Sequence, residues 1–152
     1  VPENMANEYD GSLDYYVIRY AEVLLSLSEA MIEKGGYSQD QITKYINEVR
    51  QRVNMPKVED VEGKGLSQEQ LRQIVRHERR VELAFEDLRF ADLYRWGEWK
   101  NAVERMNKEF ETYGAGDYER SYRGAQDEVW PIPQNEIDTD KNLKQHKEWG
   151  GE

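Results

Sequence analysis

Cysteine is absent from this 152-residue chain. Disulfides, thiolate metal sites, a cysteine nucleophile and a lipid carried on cysteine are therefore excluded within these residues. Long apolar runs are missing too, since no stretch approaches the ~18 consecutive apolar residues of a membrane-spanning helix. Positive charge is scarce: 21 Lys and Arg against 31 Asp and Glu leave a net charge of −10. Such a chain repels phosphate backbones, and no nucleic-acid partner is expected. Apolar residues make up 38%, a share that hardly moves when 11 Gly are counted in place of 10 Tyr. That is below the ~45–50% of an average domain. The chain is nevertheless not disordered in composition, because 4 Trp, 3 Phe and 10 Tyr remain to be buried. Its length suits one domain or a fragment of a larger protein. The Val1-Pro2-Glu3 start carries neither an initiator Met nor a signal peptide, and is expected to be interior to a longer precursor.

What is present is helical periodicity. Val17, Ala21, Leu24, Leu25, Ser28, Met31 and Ile32 form a stripe opposed by Arg19, Glu22, Ser26, Glu29 and Glu33, which predicts a helix over residues 14–34. Gly35-Gly36 stops it. Ser38 and Gln41 then make a capping box, and Ile42, Tyr45, Ile46, Val49 and Val53 carry a second helix to Pro56. Residues 57–65 read as a loop. Ser67 and Gln70 repeat the capping box ahead of Leu71, Ile74, Val75, Val81, Phe85 and Leu88. The period runs through Trp96 with a bend allowed near residues 87–89, and a fourth helix is expected over residues 90–110. Beyond Phe110, Gly114, Gly116, Gly124, Pro131 and Pro133 break any period. The expected fold is all-α, with tetratricopeptide-like antiparallel helix hairpins at 14–54 and 67–110 and an irregular C-terminal arm over 111–152, all in one domain spanning 1–152.

Two segments are dense in chemistry. In Arg76-His77-Glu78-Arg79-Arg80-Val81-Glu82-Leu83-Ala84-Phe85-Glu86, the carboxylates of Glu78 and Glu82 fall one turn apart inside the apolar stripe. A desolvated carboxylate must be paired, which nominates Arg19, Arg50 or Arg89 as partners in structural ion pairs. Paired carboxylates also suit a glycosidase acid and base, and Glu78, Glu82 and His77 form a conceivable metal set, although His77 points off the shared face. In the second segment, residues 89–99, aromatics alternate with charge. Trp96 shares the azimuth of Glu78 and is expected inside, while Tyr94 and Trp99 are candidates for exposure. Tyr113, Tyr118 and Tyr122 with Arg123 sit among glycines and make a candidate contact surface. Val129-Trp130-Pro131-Ile132-Pro133 reads as a stiff strap whose Trp docks into the helical layer. Asp138-Thr139-Asp140-Lys141-Asn142 begins like a calcium loop but has Leu143 at its sixth place and Trp149 at its twelfth. No phosphate cradle or nucleophile elbow occurs, and neither a cofactor nor a metal is expected.

Four stretches together resemble the C-terminal portion of the SusD/RagB family. They are Arg19-Tyr20-Ala21-Glu22-Val23-Leu24-Leu25 with Glu29-Ala30; Asn47-Glu48-Val49-Arg50-Gln51-Arg52; Arg76 to Glu86 with Arg89-Phe90, Asp92-Leu93 and Arg95-Trp96-Gly97; and Pro131-Ile132-Pro133 with Glu136-Ile137, Asn142-Leu143 and Gln145. The ending Gln145-His146-Lys147-Glu148-Trp149-Gly150 departs from the family's usual finish, and Asp87 stands where Gly is common. The resemblance implies a non-enzymatic, surface-exposed outer-membrane lipoprotein of Bacteroidetes-type bacteria, anchored through an N-terminal Cys absent here. It further implies capture of oligosaccharide or another nutrient, starch being one example, and delivery to a SusC-like TonB-dependent transporter. The alternative is a helical-repeat adaptor that contacts only the transporter. Tyr94, Trp99, Tyr113, Tyr118, Tyr122 and Arg123 are the ligand-contact candidates, chosen from the residues themselves.

Overall fold

A computed structural model describes residues 16–114 and 120–151. The helices are α1 (Tyr20–Lys34), α2 (Gln39–Arg52), α3 (Val58–Glu62), α4 (Gln68–Glu82), α5 (Leu88–Arg95), α6 (Trp99–Tyr113) and α7 (Gln134–Thr139), with short 3-10 turns at Gly124–Asp127 and Lys147–Trp149. No strand occurs among the described residues, and the fold class is all-α. The chain forms two compact units, one ending at Arg89 and one beginning at Phe90. No helix of the described residues is long and apolar enough to cross a membrane.

In the first unit α1 and α2 make a tetratricopeptide-like hairpin, and α4 packs along α1. Gly35 ends α1 at φ 71°, a left-handed backbone that Gly adopts without a Cβ penalty. Ser38 and Ser67 each accept from the N3 amide at 3.3 Å while Gln41 and Gln70 each return a bond to the cap N–H at 2.9 Å. These bonds set the starts of α2 and α4. Leu24, Leu25 and Ile32 of α1, Ile42, Ile46 and Val49 of α2, Val58 of α3, and Leu71 and Val75 of α4 form one buried cluster.

Four local expectations are corrected here. Helix α1 begins at Tyr20, not at residue 14; residues 16–19 are non-helical and Val17 is exposed. Arg19 occupies the N-cap in extended backbone with its side chain committed elsewhere. Glu29, assigned to the polar face, is buried. Residues 57–65, read as a loop, contain α3. Five residues do not hold a helix alone; α3 is held from outside, because the Asn47 Oδ1 accepts from the Val58 N–H at 2.8 Å and the Asn47 Nδ2 donates to Glu59 at 2.8 Å. The fourth correction is that the stripe does not continue past Glu82. Leu83 to Asp87 turn, with Phe85 and Asp87 at φ 66° and 59°, so Phe85 lies exposed rather than in the core; Val81, still within α4, is exposed too, because it sits off the face that Leu71 and Val75 bury.

Glu59 also makes the first unit sensitive to acid. Burial alone raises the pKa of its carboxyl, but the Thr43 hydroxyl, its own backbone N–H and the Asn47 amide outweigh burial and hold it below the usual 4.5. The linked stability is present above that value and is lost as pH falls through the folded-state pKa. Between about pH 5 and 3 the wild-type urea midpoint therefore falls more steeply than that of Glu59→Gln. Equal slopes for the two proteins are the contrary result.

In the second unit the helix expected over residues 90–110 is broken. Gly97 takes φ 67°, α5 ends at Arg95 and α6 restarts at Trp99. Trp96 is half-buried rather than fully inside. Among the described residues Leu93 and Val103 are the buried apolar positions, and the buried Asp92 carboxylate accepts from Arg95 Nε and Nη2 at 3.0 and 2.9 Å. Past α6 the chain is pinned by side-chain amides. Asn107 bonds both the N–H and the carbonyl of Arg120, and Gln145 does the same for Ile132.

Candidate functional site

The periodicity that places Leu71 and Val75 in the core brings Glu78 and Glu82 to the same side of α4. In the first unit Glu78 Oε1 accepts from Arg50 Nε at 2.9 Å and from Nη2 at 2.5 Å, with both side chains buried. Arg50 Nη1 also reaches the Pro56 carbonyl at 3.4 Å. Glu82 accepts from Arg19 Nη1 at 2.7 Å and from Arg52 Nη2 at 2.9 Å. Arg19 continues to Glu86, its Nε donating at 2.7 Å, and its other guanidinium nitrogen meets the Glu82 carbonyl. The bond to Glu86 raises the Arg19 pKa, burial opposes the rise, and Glu82 adds to it. The sequence reading leaves Arg52 and Glu86 out of this network.

Arg79, one step round α4, is also buried. Its Nη1 donates to the Ser26 hydroxyl at 3.0 Å, and its Nε lies 3.9 Å from Glu29. Nothing in the apolar stripe marks Arg79, because it sits beside Glu78 rather than in line with it. His77 is exposed. Glu78 Oε1 and both Glu82 oxygens face guanidinium groups, an arrangement that fixes helix register.

The second unit contains a cavity of about 640 Å³. Its walls are aromatic, from Phe90, Trp99, Trp130 and Trp149, and Arg120, Ser121, Arg123 and Asp127 supply polar groups. Phe90 and Trp99 meet edge to face with centroids 5.1 Å apart. Trp149 donates its indole N–H to the Val129 carbonyl at 2.7 Å, and the Arg123 guanidinium lies 5.6 Å from the Trp149 ring centre. Asp127 accepts from the Arg123 backbone N–H at 2.6 Å and from its Nε at 2.9 Å. The backbone bond leads in lowering the Asp127 pKa, burial opposes it, and the guanidinium reinforces it. Trp130 is 83% exposed, so the expectation that it docks into the helical layer is corrected. Pro131 and the Gln145 clamp on Ile132 hold the strap extended, which turns the indole outward.

A family model described as the SusD family matches residues 1–149 of this chain. The chain belongs to the SusD family. Similarity to individual SusD relatives runs through most of it. It is 30% identical over 142 residues to SusD-like protein P2 of Formosa agariphila, covering 90% of this chain and 26% of that protein. SusD-like protein P25 of the same organism is 38% identical over 96 residues, covering 63% and 18%. The solved structure of a SusD homolog from Bacteroides thetaiotaomicron matches with a TM-score of 0.72 at 32% identity, covering 87% of this chain and 26% of that one. A SusD-like protein from Bacteroides fragilis gives 0.52 at 35% identity, covering 62% and 18%. The chain thus spans about a quarter of the length of the first of these relatives.

Of the contact candidates in this SusD-family chain, the fold brings Trp99 and Arg123 to the aromatic cavity. Tyr94 is partly exposed, stacked on Phe90 at 6.4 Å. Tyr113 is exposed at the end of α6. The Tyr122 hydroxyl donates to Glu128 at 2.8 Å, and that bond raises its pKa. Tyr118 lies outside the described residues. Among the nominated Arg partners, Arg89 is half-buried at the end of the first unit. Phe90, Trp130 and Trp149 are the cavity aromatics that sequence spacing does not connect. Their separation in the chain conceals the grouping; the strap's Pro131 and the indole of Trp149 are the only local signals.

Proposed function

We propose that this chain is the helical C-terminal part of a cell-surface, lipid-anchored protein that captures oligosaccharide without breaking bonds and passes it to a SusC-like TonB-dependent outer-membrane transporter. The anchor would be a Cys outside these residues. Family membership over residues 1–149 is the observation that carries this reading. The aromatic cavity supports it, because indole faces with a polar rim suit the two-sided chemistry of a sugar ring. The engagement of Glu78 and Glu82 by Arg50, Arg19 and Arg52 supports a non-catalytic role for those two carboxylates.

The second reading, an adaptor that contacts only a protein partner, has one observation in its favour. Tyr20, Val23 and Leu27, at i, i+3 and i+7 on α1, are all exposed apolar residues. Electrophoresis through polysaccharide-containing gels separates the two. Capture predicts retardation in at least one gel of a glycan panel, whereas unretarded migration in every gel, combined with co-purification with the transporter, supports the adaptor.

A further inference from the structure

We infer that the aromatic cavity of the second unit is a binding subsite for an acidic saccharide, a pyranose carrying a carboxylate or sulfate, with Trp130 as its stacking platform and Arg120 as its anion contact. The inference rests on the capture reading above and assigns it a place and a ligand class. Three observations lead to it. The cavity, at about 640 Å³, falls within the ~300–1,000 Å³ of small-molecule sites. Among its wall aromatics, Phe90 and Trp99 are turned on each other and Trp149 faces Arg123, whereas Trp130 keeps its surface open at 83% exposure. An indole held outward beside a cavity offers its face to the C–H side of a sugar ring.

The platform is built before the ligand arrives. Gln145 bonds both backbone groups of Ile132, Pro131 restricts the backbone between Trp130 and Ile132, and Trp149 ties to the Val129 carbonyl. Binding then orders little additional chain. The charge lining is the third observation. Arg120 and Arg123 against Asp127 give 2 − 1 = +1 at the cavity, in a chain of net charge −10. Arg123 and Asp127 satisfy each other at 2.8 Å, and among the described residues Arg120 has no carboxylate within ion-pair distance. Asn107 meanwhile clamps the Arg120 backbone on both sides. A guanidinium so placed favours a planar carboxylate or a sulfate over a hydroxyl.

The test titrates the 152-residue chain with trigalacturonate, a sulfated carrageenan tetrasaccharide and maltotriose, read by tryptophan fluorescence and calorimetry. Trp130→Ala and Arg120→Gln, both surface changes checked by circular dichroism, are titrated in parallel. The expected result is binding of at least one acidic probe about ten-fold tighter than maltotriose. Trp130→Ala weakens every probe about five- to ten-fold. Arg120→Gln abolishes the acidic preference, bringing the acidic probes down to the affinity of maltotriose. The carboxylated and sulfated arms show which anion is read. Equal affinity for acidic and neutral probes, untouched by Arg120→Gln, overturns the ligand class. Saccharide binding that survives both substitutions overturns the cavity assignment while the capture reading stands. Failure of all three probes in a protein that polysaccharide gels still retard also overturns the assignment alone, whereas loss of gel retardation counts against capture itself.

Discussion

Replacing Glu78 by Ala lowers the unfolding free energy of the first unit by about 3–5 kcal/mol. The Arg50 and Glu78 side chains retain only 8% and 9% of their surface, so removing the carboxylate leaves a buried guanidinium without its partner. Its remaining bond, to the Pro56 carbonyl at 3.4 Å, is long. The size of the effect reflects this stranded cation rather than a net gain from the pair, because burial had already charged both ions a desolvation penalty. Two controls separate these contributions. Arg50→Met combined with Glu78→Leu removes both charges at similar volume and recovers most of the loss. Glu33→Ala removes a half-exposed partner of Arg72 and changes stability by about 1 kcal/mol or less. Urea denaturation followed by far-ultraviolet circular dichroism reads all three. A loss below about 1 kcal/mol for Glu78→Ala would mean that solvent reaches the pair.

Ile46→Ala destabilises the same unit by about 2–5 kcal/mol, through a different mechanism. Ile46 has no solvent-exposed surface and belongs to the cluster that α1, α2, α3 and α4 share. Truncation there loses transfer free energy and leaves a void that four converging helices cannot close independently. Ile46→Val, one methylene smaller, loses about 0.5–1.5 kcal/mol. The same denaturation experiment measures both, and an unchanged dependence on urea concentration shows that the folded and unfolded states keep their surfaces. An Ile46→Ala protein as stable as Ile46→Val would indicate that the helices collapse onto the vacancy.

The parts of the fold legible in the sequence are those specified by neighbours in the chain. Ser38 with Gln41 and Ser67 with Gln70 announce α2 and α4 because a capping box needs only four residues. Gly35 ends α1 by its own backbone freedom, whereas α2, expected to run to Pro56, already stops at Arg52 with Asn54 at φ 57°. Helix α3 is illegible because its support comes from Asn47 and Thr43, on another helix. The turn from Leu83 to Asp87 is hidden for a related reason. Apolar spacing at Val81, Phe85 and Leu88 fits a continuous helix, and a helical wheel assumes the axis stays straight.

Site chemistry divides along the same line. Carboxylates at Glu78 and Glu82 declare themselves by lying within an apolar stripe, and that signal points towards arginines without stating which. Arg52 and Glu86 join through tertiary geometry alone. The cavity of the second unit gathers residues from Phe90 to Trp149 across a region with no period to follow. Trp130 is misread because a Trp-Pro strap looks equally suited to covering a helix or displaying a ring; the Gln145 clamp, 13 residues on, holds the strap extended with its ring outward.

The reach of Arg19 to Glu86 spans 67 positions. Within the first unit this ties the residue ahead of α1 to the turn that follows α4. The salt-bridged corner thus works as a clasp: Arg19, Arg52, Glu82 and Glu86 fasten the start of α1 to the end of α2 and to the turn after α4, so loosening any one of them frees the approach to three helices at once.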